Sequence, residues 1–215
     1  MTDSILIIVR EDFKYTNYDP HSMTSLSVEE FTALQSEEVQ LLDSRPTNEF
    51  ASSVISSSVN ASLNGSYEYM ASSIFNKEKH IVVICEEGRE GESLLRLELE
   101  GFKHISTFNF NLWKDNETLS IRRCKAKDAH TYLDVMKDVS NAEDWEVLHV
   151  KGAKSIPLIN LIDDFSSISD GDVLYCGNGH KSMAAASFLR ARGIKVKDII
   201  GGLSAMLVDA PELEI

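Results

Sequence analysis

The chain carries one series of landmarks twice. The apolar run "VQLLDSRP" ends on Asp43, and Cys85 closes "HIVVIC" 85 − 43 = 42 positions later. "TYLDVMK" carries Asp134, and Cys176 closes "DVLYC" after the same interval, 176 − 134 = 42. Both landmarks therefore recur at an offset of 91 residues. Gly88 maps onto Gly179, and the helical patterns that follow stop at Gly101 and Gly193, where a left-handed C-cap ends a helix. A repeat this long predicts two copies of one small domain rather than a solenoid of shorter units.

Within each copy, short apolar runs alternate with amphipathic ones. The first opens on a capping box, Ser27 with Glu30, before Phe31 and Leu34. Strands are predicted over Val39 to Leu42 and Ile81 to Ile84, and helices over Tyr67 to Phe75 and Glu92 to Glu100. The second copy is read as strands over Thr131 to Val135, Val173 to Tyr175 and Val196 to Ile200, with helices over Leu158 to Phe165 and Ser182 to Arg192. Alternating strands and helices predict an α/β fold, each copy a parallel sheet flanked by helices. The Ser-rich patch "ASSVISSSVN" reads as a loop between strand and helix, and polar "KDNETLS" as the linker. The expected division is an N-terminal extension (1–24), a first domain (25–117) and a second (118–215).

Charge narrows the partners. Lys and Arg number 21 against 34 Asp and Glu, a formal net charge of −13. Such a surface repels nucleic acid and anionic membranes. The run Ile5 to Val9 is too short for an export signal, and no apolar stretch approaches the roughly 20 residues that span a bilayer. Three widely spaced cysteines, an odd number, argue against a disulfide framework and for a reducing, cytoplasmic setting. No C-x-x-C or H-x-x-x-H pairing suggests a metal site, and no cofactor motif is present.

The stretch "DVLYCGNGHKSMAAASFLRARG" sets Cys176 between a strand and a helix, at the sheet edge where open α/β folds hold their ligands. Gly177 and Gly179 allow successive backbone N–H groups to curl inward as an anion-binding nest before the helix N-terminus. His180 and Lys181 would add positive charge beside the sulfur and so favour the nucleophilic thiolate. Cys124 in "IRRCKAK" reads as incidental to the domain joint, His149 as structural, and Trp113 and Trp145 as core or interface aromatics.

"HVKGAKSIPL", "LYCGNGHKS" and "IIGGLSAM" resemble the successive signatures of a rhodanese domain, and the resemblance covers nearly all of residues 25 to 210 as two copies. The pairing of "ICEEGREGES" with "YCGNGHKS" also resembles the tandem rhodanese tail of metallo-β-lactamase-fold fusion proteins, without their HxHxDH metal motif. The resemblance implies a sulfurtransferase. Cys176 would take sulfane sulfur from thiosulfate or a persulfide and pass it to a thiol or cyanide, with Gly177, Asn178, Gly179, His180, Lys181 and Ser182 binding the substrate and Asp134 supporting them.

The first copy departs from that pattern. Cys85 and Arg89 are its secondary candidates, but Glu86, Glu87, Glu90 and Glu92 crowd the thiol and favour its neutral form. It lacks the "GG" of the second copy and carries "FNFNLW" instead. A degenerate first domain and an active second are expected. The competing reading is a non-catalytic module that binds a protein partner or senses sulfane sulfur. A phosphatase is disfavoured, because the sixth position after each cysteine holds Gly91 or Ser182 rather than a phosphate-clamping arginine.

Overall fold

A computed structural model describes residues 25–35 and 38–215. The N-terminal extension, with its Ile5 to Val9 run, lies outside the described residues. Two separate parallel sheets are present, each with helices on its faces.

The first domain runs α1 (Val28–Leu34), β1 (Gln40–Asp43), α2 (Thr47–Ser52), β2 (Val59–Asn60), α3 (Tyr67–Ile74), β3 (Ile81–Cys85), α4 (Glu90–Leu99) and β4 (Ile105–Asn109), then a 3-10 turn at Phe110–Leu112. The capping box forms: the Ser27 hydroxyl accepts the Glu30 N–H at 3.2 Å, and the Glu30 carboxylate accepts the Ser27 N–H at 2.8 Å. The strand order is β2-β1-β3-β4, all parallel. Every residue of β3 is buried, as a strand covered on both faces requires.

The second domain runs β5 (Arg123–Cys124), a 3-10 stretch (Ala126–Val135), β6 (Met136–Asp138), α5 (Ala142–Val147), β7 (Lys154–Ser155), α6 (Leu158–Asp163), β8 (Val173–Tyr175), α7 (His180–Arg190), β9 (Lys197–Ile199) and α8 (Gly202–Asp209). Its sheet is β5-β9-β8-β6-β7, again parallel throughout. Gly101 and Gly193 end α4 and α7 in the left-handed region, each at φ +88°, as the pattern predicts.

Two expectations fail. The stretch Thr131 to Val135 is not a strand, and Asp134 is exposed in the 3-10 segment. The strand-end aspartate is Asp138, which aligns with Tyr175 in the sheet as Asp43 aligns with Ile84. Strand β6 was hidden by its own charges: Lys137 and Asp138 are both buried, with Lys137 paired to Asp172 at 3.4 Å, whereas the apolar-looking Leu133 and Val135 face solvent. The Ser-rich patch is also not a plain loop. It contains the end of α2, an antiparallel bridge from Val54 to Leu119, and β2.

Proper alignment moves the length difference between the copies. From Asp138 to Cys176 is 176 − 138 = 38 residues, four fewer than from Asp43 to Cys85. The four lie between β2 and α3, where residues 61–66 stand against 156–157 of the second domain.

The domains share packing. The linker is tied back by paired backbone hydrogen bonds between Val54 and Leu119 at 2.8 and 2.9 Å. The Asn60 N–H donates to Ser187 Oγ at 2.9 Å across the seam. One buried cluster contains Leu42, Met70 and Leu97 of the first domain together with Leu158, Met183 and Phe188 of the second.

Candidate active site

Cys176 follows the last residue of β8, at the carboxyl edge of the second sheet, and only 1% of it is exposed. The turn that follows reverses at Gly179, in the left-handed region at φ +86°, and leads directly into α7. This reversal aims the Gly179 N–H at Cys176 Sγ, 3.2 Å away. On the other side the thiol donates to Ser182 Oγ at 3.8 Å. The sulfur thus meets the positive end of a backbone dipole at the start of an eleven-residue helix.

A second backbone segment braces the loop from above. Leu203 N–H donates to the Cys176 carbonyl at 2.8 Å, and both the N–H and hydroxyl of Ser204 donate to the Gly177 carbonyl, at 2.9 and 2.8 Å. Only glycine permits this approach. A Cβ on Gly202, which sits at φ +58°, would lie 2.0 Å from the Cys176 carbonyl oxygen and 2.8 Å from the Gly179 nitrogen. Gly201, Gly202 and Ser204 were not singled out as site residues. The double glycine before an apolar helical run was the available signal.

The remaining cradle residues are arranged differently from expectation. Gly177 and Asn178 are exposed, and Asn178 Oδ1 accepts the His180 N–H at 3.4 Å. The His180 ring is turned into the domain seam: a Cβ on Gly65 would fall 2.1 Å from its Nδ1. Burial, and then the nearby Arg123 guanidinium, hold the His180 pKa below its ordinary 6.5, so it adds no positive charge at neutral pH. Lys181 is half engaged elsewhere. Its ammonium is 3.4 Å from Asp144 and 5.3 Å from the ring centre of Tyr69, on α3 of the first domain. Arg123 fixes the same seam, holding buried Asp198 at 2.6 Å and the Thr47 hydroxyl at 3.3 Å. Gly65 lies within the extra residues of the first domain, a contact that no local pattern announces.

The corresponding position in the first domain is built otherwise. Cys85 is the final residue of β3, and its thiol donates to the Val83 carbonyl at 3.2 Å. Burial pushes its pKa from 9.0 up to about 12, only partly offset by the Ser93 and Ser44 hydroxyls, with Glu90 and Asp43 adding to the rise. The rise is therefore due mainly to desolvation rather than to the surrounding glutamates. Arg89 turns away: it binds Glu92 at 2.7 Å and the Asn64 side chain at 3.0 Å. Asp43 holds Arg45, whose guanidinium contacts the carboxylate at 2.7 Å and covers the Phe110 ring at 3.4 Å. At the matching place in the second domain, Asp138 accepts the Ser140 N–H at 2.7 Å, and no arginine follows.

The Rhodanese-like domain family model matches this chain twice, over residues 27–112 and 123–208. The chain belongs to the rhodanese family. Both sheets, with their cysteines at equivalent strand ends, fall within the matched segments. No curated protein sequence matches this rhodanese. Among solved structures it is similar to a thiosulfate sulfurtransferase from Pseudomonas aeruginosa, at 17% identity and a TM-score of 0.39, covering 86% of this chain and 45% of that one. It is also similar to reduced Bacillus anthracis CoADR-RHD, at 22% identity and a TM-score of 0.41 over 44% of this chain and 18% of that one. The human single-domain sulfurtransferase TSTD1 matches 44% of this chain with 97% of its own, at 18% identity and a TM-score of 0.37. This rhodanese therefore spans less than half the length of the first two. No helix among the described residues is long and apolar enough to cross a membrane.

Proposed function

We propose that the second domain, residues 118–215, is a sulfurtransferase that carries sulfur on Cys176, and that the first, 25–117, is a degenerate copy. The observation that carries the reading is the Gly179 N–H held 3.2 Å from Cys176 Sγ at the head of α7, in a rhodanese-like domain. In the loading half-reaction the Cys176 thiolate attacks the sulfane sulfur of thiosulfate or a persulfide. The donor's sulfur–sulfur bond breaks, and its electron pair leaves with sulfite or the donor thiolate. The new Cys176 persulfide keeps its negative outer sulfur near the backbone N–H groups. In the unloading half-reaction an acceptor thiolate or cyanide attacks that outer sulfur, and the bonding pair returns to Cys176.

Gly177, Asn178, Gly179 and Ser182 form the immediate cradle in this proposal, with Asp138 in the place first given to Asp134. The three free, buried cysteines support operation in a reducing compartment such as the cytoplasm. The deciding experiment is intact-protein mass spectrometry after exposure to thiosulfate or glutathione persulfide. A gain of about 32 Da, one sulfur atom, that vanishes in Cys176→Ser supports the covalent intermediate. No adduct with any donor sinks it.

A second reading, a non-catalytic sulfane-sulfur sensor, draws on the position of Lys181, whose charge is shared with Asp144 rather than free to bind a dianion. It predicts an adduct that forms but does not turn over when a thiol acceptor is added.

A further inference from the structure

The amino-terminal edge of the second sheet has a cleft of about 580 Å³, lined by Arg122, Arg190, Lys195 and Lys197 with a single carboxylate, Asp170. Four cations gathered around one cleft run against the chain's net charge of −13. Neighbouring carboxylates do not neutralise them, because Asp172 is paired with Lys137 and Asp198 with Arg123. Asp170 accepts the Lys195 backbone N–H at 2.7 Å, and the Lys197 ammonium is 5.3 Å from the Tyr132 ring centre. Among the described residues, Arg122, Arg190 and Lys195 make no ion pair.

Arg190 supplies the second observation. Its Nε is buried and has no hydrogen-bond partner. That N–H is shut off from the cleft as well as from water, so Arg190 meets an anion through the part of its side chain that lines the cleft, where no carboxylate among the described residues pairs with it. Arg190 also borders a smaller adjoining cavity of about 100 Å³ lined by Ser56, Ser57 and Ser58 of the first domain, where Ser57 holds a left-handed backbone at φ +66°. The arginine is the last residue of α7, whose first residue adjoins the cysteine loop. Eleven helical residues put the two ends about 15 Å apart, so this cleft is separate from the sulfur site.

We propose that the cleft is a binding site for a small polyanion carrying two or more phosphate groups, with Arg190 as its central ligand and Arg122 and Lys195 at its rim. Its volume suits a small molecule. The acidic remainder of the chain repels an extended polyanion such as nucleic acid. The occupant would be held by side chains of the second domain, Arg190 with Arg122 and Lys195.

The test is calorimetric titration of inorganic pyrophosphate into the full chain at low salt. Saturable binding of one equivalent is expected, weakened about tenfold or more in Arg190→Gln by loss of charge-assisted hydrogen bonds, and unchanged in Cys176→Ser. The double variant Arg122→Glu/Lys195→Glu changes exposed side chains only; it provides the same comparison should Arg190→Gln fail to fold, and is expected to lose binding as well. Absence of saturable binding overturns the proposal. So does binding in Arg190→Gln and in Arg122→Glu/Lys195→Glu as tight as in the parent chain, or loss of binding in Cys176→Ser, which would assign the anion to the cysteine loop.

Discussion

The two domains hold their cysteines at the same sheet position and surround them with opposite solutions. In the second, Gly201 and Gly202 let a backbone segment close over the cysteine loop, and the sulfur receives an N–H. In the first, strand register puts Phe110 and Asn111 at those positions, Phe110 stacks with Arg45, and the thiol is left donating to a carbonyl. A shared sheet thus fixes where the cysteine stands, whereas the residues packed against the loop decide which hydrogen bond the sulfur makes. The first domain keeps the arginine-braced aspartate and lacks the covering backbone, so brace and cover are separable features of this fold.

The sharpest break between the copies is functional. Cys176→Ser is expected to abolish sulfur transfer, and Cys85→Ser to leave most of it, in assays with thiosulfate and with a persulfide donor. Loss of turnover only in the Cys85 variant would reverse the assignment of active and degenerate domains.

Next comes the covering backbone. Gly202→Ala forces a Cβ to 2.0 Å from the Cys176 carbonyl at φ +58°, a combined clash and strain of about 2–6 kcal/mol, with sulfur transfer lost in proportion. Asn111→Ala, at the matching place, is expected to change stability by less than about 0.5 kcal/mol. Thermal or urea unfolding compares them, and equal effects would show that the closure is not special to the second domain.

The brace is predicted to behave the other way round. Arg45→Ala strands the buried Asp43 carboxylate and should cost about 3–5 kcal/mol, whereas Ser140→Ala, which keeps the N–H that Asp138 uses, should cost under about 1 kcal/mol. Urea titration of both variants is the measurement.

The smallest effect lies in alkaline pH. The folded Cys85 thiol titrates at about 12, against 9.0 ordinarily. A raised folded value means that the folded state keeps a proton the unfolded chain releases between these limits, so this contribution to stability is present below pH 9 and falls as pH rises. Cys85→Ala should flatten that part of the stability–pH curve, with burial of Cys124 leaving a residual slope of the same sign. An unchanged slope would mean that Cys85 is hydrated in solution.

Much of this arrangement was legible in the chain. The apolar runs of β3 and β8, the glycines ending α4 and α7, and the Gly-rich turn after Cys176 each have a local physical cause and were read correctly. Strand β6 was missed because tertiary partners, Asp172 for Lys137 and a backbone N–H for Asp138, pay the cost of burying charges that a pattern rule assigns to the surface. That error carried the strand-end aspartate to Asp134 and made the two 42-residue intervals look equivalent. The seam was illegible for a related reason: nothing near Gly65 in sequence states that a histidine 115 positions away, 180 − 65, needs its space.

The buried cluster that joins Met70 to Met183 and Phe188 bears on how such a chain can change over generations. A duplicated domain without chemistry of its own is ordinarily free to drift or be deleted. Here removal of the first domain would leave Leu158, Leu161 and Phe188 facing water, so the second domain would lose part of its own interior. Whatever chemistry Cys85 has, Met70 ties the first domain into the second, which thereby carries an internal scaffold supplied by its own duplicate.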